Sequence, residues 1–142
     1  DTAKGGLARL DLALGVAGIR IFILELGAND VMKGLAADEI KSDLNEIIRR
    51  VKDRKAELLL CGFKPPPEVG SAYSASIERM YSDLANENGI AYMPDFMEGV
   101  RSDPKLMLED KIHPNKEGVR VIQQNVYIAL QPLLVKYERK RD

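Results

Sequence analysis

Hydrophobic positions follow two different periods along the chain. Between residues 37 and 54, Ile40, Leu44, Ile47, Ile48 and Val51 fall at i, i+4, i+7, i+8 and i+11. That spacing puts one apolar stripe on one face of a helix. Residues 71–88 repeat the pattern with Ile77, Met80, Tyr81 and Leu84, and Asn88-Gly89 ends it. Lys116 to Tyr137 reads as a long closing helix, with Pro132 as the candidate interruption. At the start, Asp1-Thr2 offers an N-cap for a helix through about Leu14, with Leu7, Leu10, Leu12 and Leu14 among its apolar positions; Gly15 and Gly18 break it. Elsewhere the apolar positions run together. Ile19 to Leu26 and Glu57 to Phe63 are near-continuous runs, as expected of strands covered on both faces. Ile90 to Met93 is a shorter third strand. Residues 64–70 hold three consecutive prolines, which argues against regular structure there. Residues 94–111 read as irregular, with room for one short helix.

Helix and strand alternate throughout, so the pattern predicts a three-layer α/β/α sandwich on a parallel sheet. Only three strands are visible, where an open parallel sheet of this kind usually has five. The expectation is a single domain over residues 1–142 whose first strands are not in this chain. The chain also opens at Asp1 without Met, and that predicts an excised or processed piece.

Composition narrows the function. The 142 residues are 45% hydrophobic and 30% charged, ordinary for a globular domain. The 21 basic and 22 acidic residues leave a net charge of −1, with no global field to hold nucleic acid. No apolar run approaches the ~20 residues that span a bilayer. The single Cys61 excludes an internal disulfide, and the single His113 excludes multi-histidine metal sites. Cys61 itself reads as a small buried hydrophobe, and the charged Tyr137–Asp142 tail as a solvated end.

In open parallel sheets, ligands sit at the carboxyl ends of the strands. Leu26-Gly27-Ala28-Asn29-Asp30 follows the best strand, and an amide at Asn29 can donate to a developing oxyanion. Asp110-Lys111-Ile112-His113-Pro114-Asn115 precedes the last helix. Asp and His three residues apart can meet in a tight loop, which leaves one ring nitrogen free as a base. Asn115 is placed to cap the helix behind it. Asp30 reads as structural, bonding backbone near the Asn29 turn.

These two segments together resemble those of the SGNH (GDSL-type) hydrolases, and the flavodoxin-like fold of that family matches the predicted sandwich. Asp1 to Leu10 looks like the stretch after the family's second block, Leu24 to Asp30 like its third, and Asp110 to Asn115 like its fifth. The chain is most similar to the bacterial thioesterase I, lysophospholipase and arylesterase subgroup. The resemblance implies a serine ester hydrolase acting on a small acyl ester or thioester through an acyl-enzyme, with no cofactor and no metal. It implies His113 as base, Asp110 as its orienting residue and Asn29 as an oxyanion donor. The loop containing Val31, Met32 and Leu35 and the proline-rich loop around Pro66 would line the substrate. Phe63 and Met97 are further candidates for acyl contact. The subgroup is often periplasmic or secreted.

The family's nucleophile belongs to a Gly-Asp-Ser motif, and this sequence contains none. Ser42, Ser74, Ser76 and Ser82 fall in predicted helices, and neither Ser71 nor Ser102 has the strand-turn-helix setting that exposes a nucleophile. The family's oxyanion glycine would directly precede Asp1. The expectation is half a catalytic site, with the serine supplied by an upstream segment or a separate chain. The rival expectation is a non-catalytic binding or scaffold protein on the same fold.

Overall fold

The computed structural model describes residues 1–138. The elements are α1 (Ala3–Ala8), α2 (Leu10–Leu14), β1 (Ile21–Glu25), α3 (Ala28–Met32), α4 (Ala37–Asp53), β2 (Glu57–Cys61), α5 (Ser71–Asn88), β3 (Ala91–Met93) and α6 (Lys116–Glu138). Single 3-10 turns occupy Pro67–Val69 and Pro104–Leu106. Residues 139–142, the end of the charged tail, lie outside the described residues.

The strands are parallel in the order β1-β2-β3, with Ile21 opposite Glu57 and Leu59 opposite Ala91. Side chains alternate across the sheet. Phe22, Leu24, Leu58 and Leu60 point into a layer built from α1, α2, α4 and α5. Leu59, Cys61 and Met93 point the other way, onto Val126, Ala129, Leu130 and Leu133 of α6. The architecture is the expected three-layer α/β/α sandwich. Ile40, Leu44, Ile47, Ile48 and Val51 of α4 are all buried, so the periodic stripe is the face that meets the sheet. Burying side chains of this size stabilises by roughly 1.5–3 kcal/mol each, which makes α4 the main apolar anchor of its layer.

Central strand β2 is buried on both faces, as its sequence predicts. Strand β1 is not. Leu24 is 2% exposed, but Ile23 is 45% exposed and Glu25 is also open. The reason is positional: β1 is an outer strand, and α6 lies over β2 and β3 instead. An apolar run reports what a strand could bury, not what is packed on it.

Other boundaries differ in detail. The N-terminal helix is two helices, because Arg9 leaves helical geometry after the weak formers Gly5 and Gly6. Thr2 caps α1 as expected, its hydroxyl accepting from the Gly5 N–H at 3.0 Å. An ion pair between Asp11 and Arg50 joins α2 to α4. Helix α3 is unannounced, since five residues are too few to show a period. The proline-rich segment, expected to be irregular, contains one 3-10 turn that begins at Pro67, where a missing N–H costs nothing. Pro132 does not interrupt α6; the carbonyl it cannot bond belongs to Ile128, on the solvent face.

Helix α5 does more than pack. Tyr81 is fully buried on its inner face, and its hydroxyl donates to the Leu26 carbonyl at 2.7 Å. Gly27 follows with φ 108°, and a Cβ there would overlap that hydroxyl. The end of β1 is thus fixed by one hydrogen bond and one absent side chain.

Tyr81→Phe should lower the unfolding free energy by roughly 1–3 kcal/mol, the cost of a buried carbonyl left without its donor. Gly27→Ala should cost more, because it adds left-handed strain and a clash; urea titration of both variants checks the order. Burial, with the Glu25 carboxylate adding to it, pushes the Cys61 thiol up to about 12. Cys61 should therefore resist iodoacetamide in the native protein and react on unfolding, as read by intact mass.

Candidate active site

The loop before α6 is organised by its own polar atoms. Asp110 Oδ1 accepts from the backbone N–H groups of Ile112 at 2.9 Å and His113 at 3.0 Å. Asp110 Oδ2 lies 2.7 Å from His113 Nδ1. This closed ring of contacts takes Lys111 into left-handed geometry at φ 56°. Below it, the Leu108 N–H bonds the His113 carbonyl at 2.8 Å, and Met107 pairs with Pro114. Asn115 locks the base of the loop from both sides. Its Oδ1 accepts from Glu117 and Gly118 at the start of α6, and its Nδ2 donates to the carbonyls of Lys105 and Met107. The expected helix cap is therefore also a strut for the loop.

With Nδ1 held by the carboxylate, His113 keeps Nε2 unpartnered among the described residues. The ring is 69% exposed, so that nitrogen faces open space. The Asp110 carboxyl is held down to about 2, first by the His113 backbone N–H, then by the His113 ring, then by the Ile112 N–H. It is ionised throughout the range in which an imidazole titrates, and it accepts a ring proton without taking it.

The second segment sits at the carboxyl end of β1. Asn29 lies in the first turn of α3, and its Nδ2 donates to the Asp1 carbonyl at 3.1 Å. Asp30, next to it, is the buried charged side chain of the core region at 1% exposure. Its Oδ2 accepts from the Ala3 N–H at 2.8 Å, at the start of α1. Together they tie the α1 entry to the turn after β1, which is the backbone-bonding place expected for Asp30.

The expected substrate-lining residues separate. Met32 is 55% exposed, and Leu35 and Pro66 are half-buried. Val31 departs from expectation. It faces inward from α3 and is 1% exposed, so it serves the core and offers no surface to a ligand. Met97 is also buried, in a small cluster with Val100, Met107 and Ile122. Ser71 is the first residue of α5. Among the described residues, no serine hydroxyl bonds the His113 ring; the Ser74 and Ser76 hydroxyls are committed to Glu78 and to the Tyr73 carbonyl.

Sequence reasoning read Tyr81 as core and gave Tyr73 and Arg101 no role. The Tyr73 hydroxyl donates to the Leu35 carbonyl, joining α5 to the loop after α3. A hydroxyl on an otherwise apolar helix face was the available signal for Tyr81. Among the described residues, no group of three or more His, Cys, Asp and Glu side chains is placed to hold a metal ion.

The lowered Asp110 value fixes a pH window. Its bonds stabilise the loop fully above the ordinary value of 3.8 and are lost as pH falls through about 2. The Ile112 and His113 amide resonances should therefore titrate with a midpoint near 2 in an NMR series; a midpoint near 3.8 would show the carboxylate unengaged.

With the geometry in view, the likenesses to known proteins are specific. Esterase TesA of Pseudomonas aeruginosa is 34% identical over 134 residues, covering 94% of this chain and 67% of that protein. The Escherichia coli K12 protein named thioesterase 1/protease 1/lysophospholipase L1 is 35% identical over 134 residues, covering 94% of this chain and 64% of its own length. The chain thus spans about two thirds of the relatives it matches. The crystal structure of TesA superposes with a TM-score of 0.89 at 33% identity, over 94% of this chain and 74% of that one. Esterase EstA from Pseudoalteromonas, solved with monoethylphosphonate, also gives 0.89 at 26% identity, over 94% of this chain and 73% of that one. The profile of the GDSL-like lipase/acylhydrolase family matches residues 1–121, the stretch that carries both the Asn29 turn and the Asp110–His113 loop, and the chain belongs to that family.

Proposed function

We propose that this chain supplies the general base, its orienting carboxylate and one oxyanion donor of a serine ester hydrolase. The observation that carries the reading is the 2.7 Å contact between His113 Nδ1 and Asp110 Oδ2, with Nε2 left open. His113 Nε2 takes the proton of a serine hydroxyl as that oxygen attacks an ester or thioester carbonyl. The ring then returns the proton to the departing alcohol or thiol. Water attacks the acyl-enzyme by the same route and releases the acid. Asn29 Nδ2 donates to the oxyanion, exchanging its present bond to the Asp1 carbonyl for one to the substrate. Met32, Leu35 and Pro66 line the acyl side.

The serine comes from a strand added to the outer edge of β1. That edge presents backbone donors and acceptors beside a cleft of about 160 Å³, lined by Arg9, Leu10, Ala13, Phe22, Ile23 and Ile47. On α6, Val119 and Tyr127 line a shallow apolar groove with Ile122, Val126 and Leu130, which an added segment of chain can cover as well. A parallel strand beside β1 would run out at the same end of the sheet as Asn29, and the proposed serine sits at its carboxyl end. The relatives' names span arylesterase, thioesterase and lysophospholipase, and the substrate class proposed here is equally broad: acyl esters and thioesters of small molecules.

Fluorophosphonate labelling, read by denaturing intact mass, is the direct test. An adduct on a serine outside residues 1–142 supports the reading. A protein that hydrolyses nothing and takes no label is a binding protein on this fold, and the proposal fails. In the active protein, His113→Ala should abolish turnover of p-nitrophenyl esters while leaving the circular dichroism spectrum unchanged. Asn29→Ala should lower kcat by roughly 10²–10³, the usual loss for one oxyanion donor.

A further inference from the structure

The proline-rich segment after β2 poses a problem of attachment. Pro65, Pro66 and Pro67 have no N–H to give to a neighbouring strand. The bonds at Pro66 and Pro67 are local, their carbonyls accepting from Val69 and Gly70. Among the described residues, one hydrogen bond from a distant part of the chain reaches the backbone of residues 64–67. It is donated by Arg101 Nη1 to the Lys64 carbonyl, at 2.7 Å.

Arg101 is well placed to hold it. Its backbone closes a turn after β3, with its N–H on the Met97 carbonyl. The next residue back, Val100, is fully buried, which anchors that turn in the core. From there the side chain crosses to the β2 loop. The guanidinium lies 5.0 Å from the centroid of the Phe63 ring. Its Nη2 stands 3.6 Å from Asp95 Oδ1, an ion-pair distance too long for a hydrogen bond. Nη2 is itself buried without a hydrogen-bond partner. A buried donor in that state is costly and persists only where the rest of the side chain is strongly held. Here the holding groups are the Phe63 face and the Lys64 carbonyl. The planar fork satisfies both at once, which an ammonium does not. The same guanidinium borders a groove of about 790 Å³ between the two loops, shared with Lys64, Pro67, Tyr92 and Asp95.

We propose that Arg101 is a positioning residue. It locks the proline-rich wall to the loop after β3, the same excursion that runs on to Asp110 and His113. Backbone bonds from Gly62 to Met93 and Phe96 hold the base of the wall, and beyond them its distance from the catalytic loop, and hence its fit to an acyl chain, is set by this side chain. The inference rests on the esterase reading above. Arg101 touches neither Asp110 nor His113 in the described contacts, so loosening it alters binding more than chemistry.

The test uses the hydrolytically active protein with Arg101→Met and Arg101→Lys. Both variants should raise KM for p-nitrophenyl hexanoate by about tenfold, with kcat within about twofold of the parent. Lysine should fail to rescue, because its charge cannot both stack on Phe63 and reach the carbonyl. Hydrogen exchange read by mass spectrometry should rise in a peptide over residues 63–74 and stay unchanged in α4. An unchanged KM in a folded variant overturns the proposal, as does a loss confined to kcat, or a lysine variant equal to the parent. If the parent itself has no hydrolytic activity, the esterase reading fails, whereas the exchange result still judges the latch.

Discussion

The hydroxyl of Tyr81 on the carbonyl of Leu26 is the contact on which the carboxyl end of β1 depends. It brings α5 to the strand end and fixes the carbonyl at the exit from β1. Gly27 then turns the chain with φ 108°, in space that any side chain would share with the tyrosine hydroxyl. Helix α3 begins at once, and Asn29 and Asp30 leave it toward the start of α1. A tyrosine hydroxyl held against Leu26 and Gly27 thus determines the turn from which the Asn29 amide, three residues after Leu26, projects. The tyrosine hydroxyl is held in its neutral form by burial, as a donor in this position must be.

The two halves of the site are built by different physics. The Asn29 turn is set from outside, by a helix packed across the sheet. The Asp110–His113 loop is set from within, by one carboxylate that bonds two backbone N–H groups and a ring nitrogen. A self-organised loop keeps its geometry when solvent surrounds it, which suits a histidine that is 69% exposed. A turn set from outside keeps its geometry only while the core is intact. The site therefore couples to global stability through Asn29 far more than through His113.

The sheet is lopsided in the same sense. Helices α1, α2, α4 and α5 bury one face across its width, but on the other α6 covers β2 and β3 and reaches β1 at Ile21 alone among its described core contacts. Ile23 and Glu25 stay exposed on β1, and Val119 and Tyr127 stay exposed on α6. A parallel sheet is normally covered on both faces, so the open side of β1 is where added chain would gain most from burial. The β1 side is also where Asn29 ends, so the proposed nucleophile strand and the proposed oxyanion donor share one end of the sheet.

Much of this was legible in the sequence because it rests on local rules. The stripes of α4 and α5, the cap at Asn115, the stop at Gly89 and the Asp110–His113 contact depend on residues a few positions apart. Spacing alone determines whether such groups can meet. The sequence also determined the layer order, because buried parallel strands and amphipathic helices allow few alternatives. What only the tertiary structure decided was the neighbourhood of each group. It placed β1 on the outside with Ile23 uncovered, turned Val31 into the core, ran Arg101 across to Lys64, and set Tyr81 on Leu26. These contacts join residues 37 and 55 positions apart, and no periodicity records them. Local patterning states which surface a residue can offer; only packing of the whole chain states what meets it.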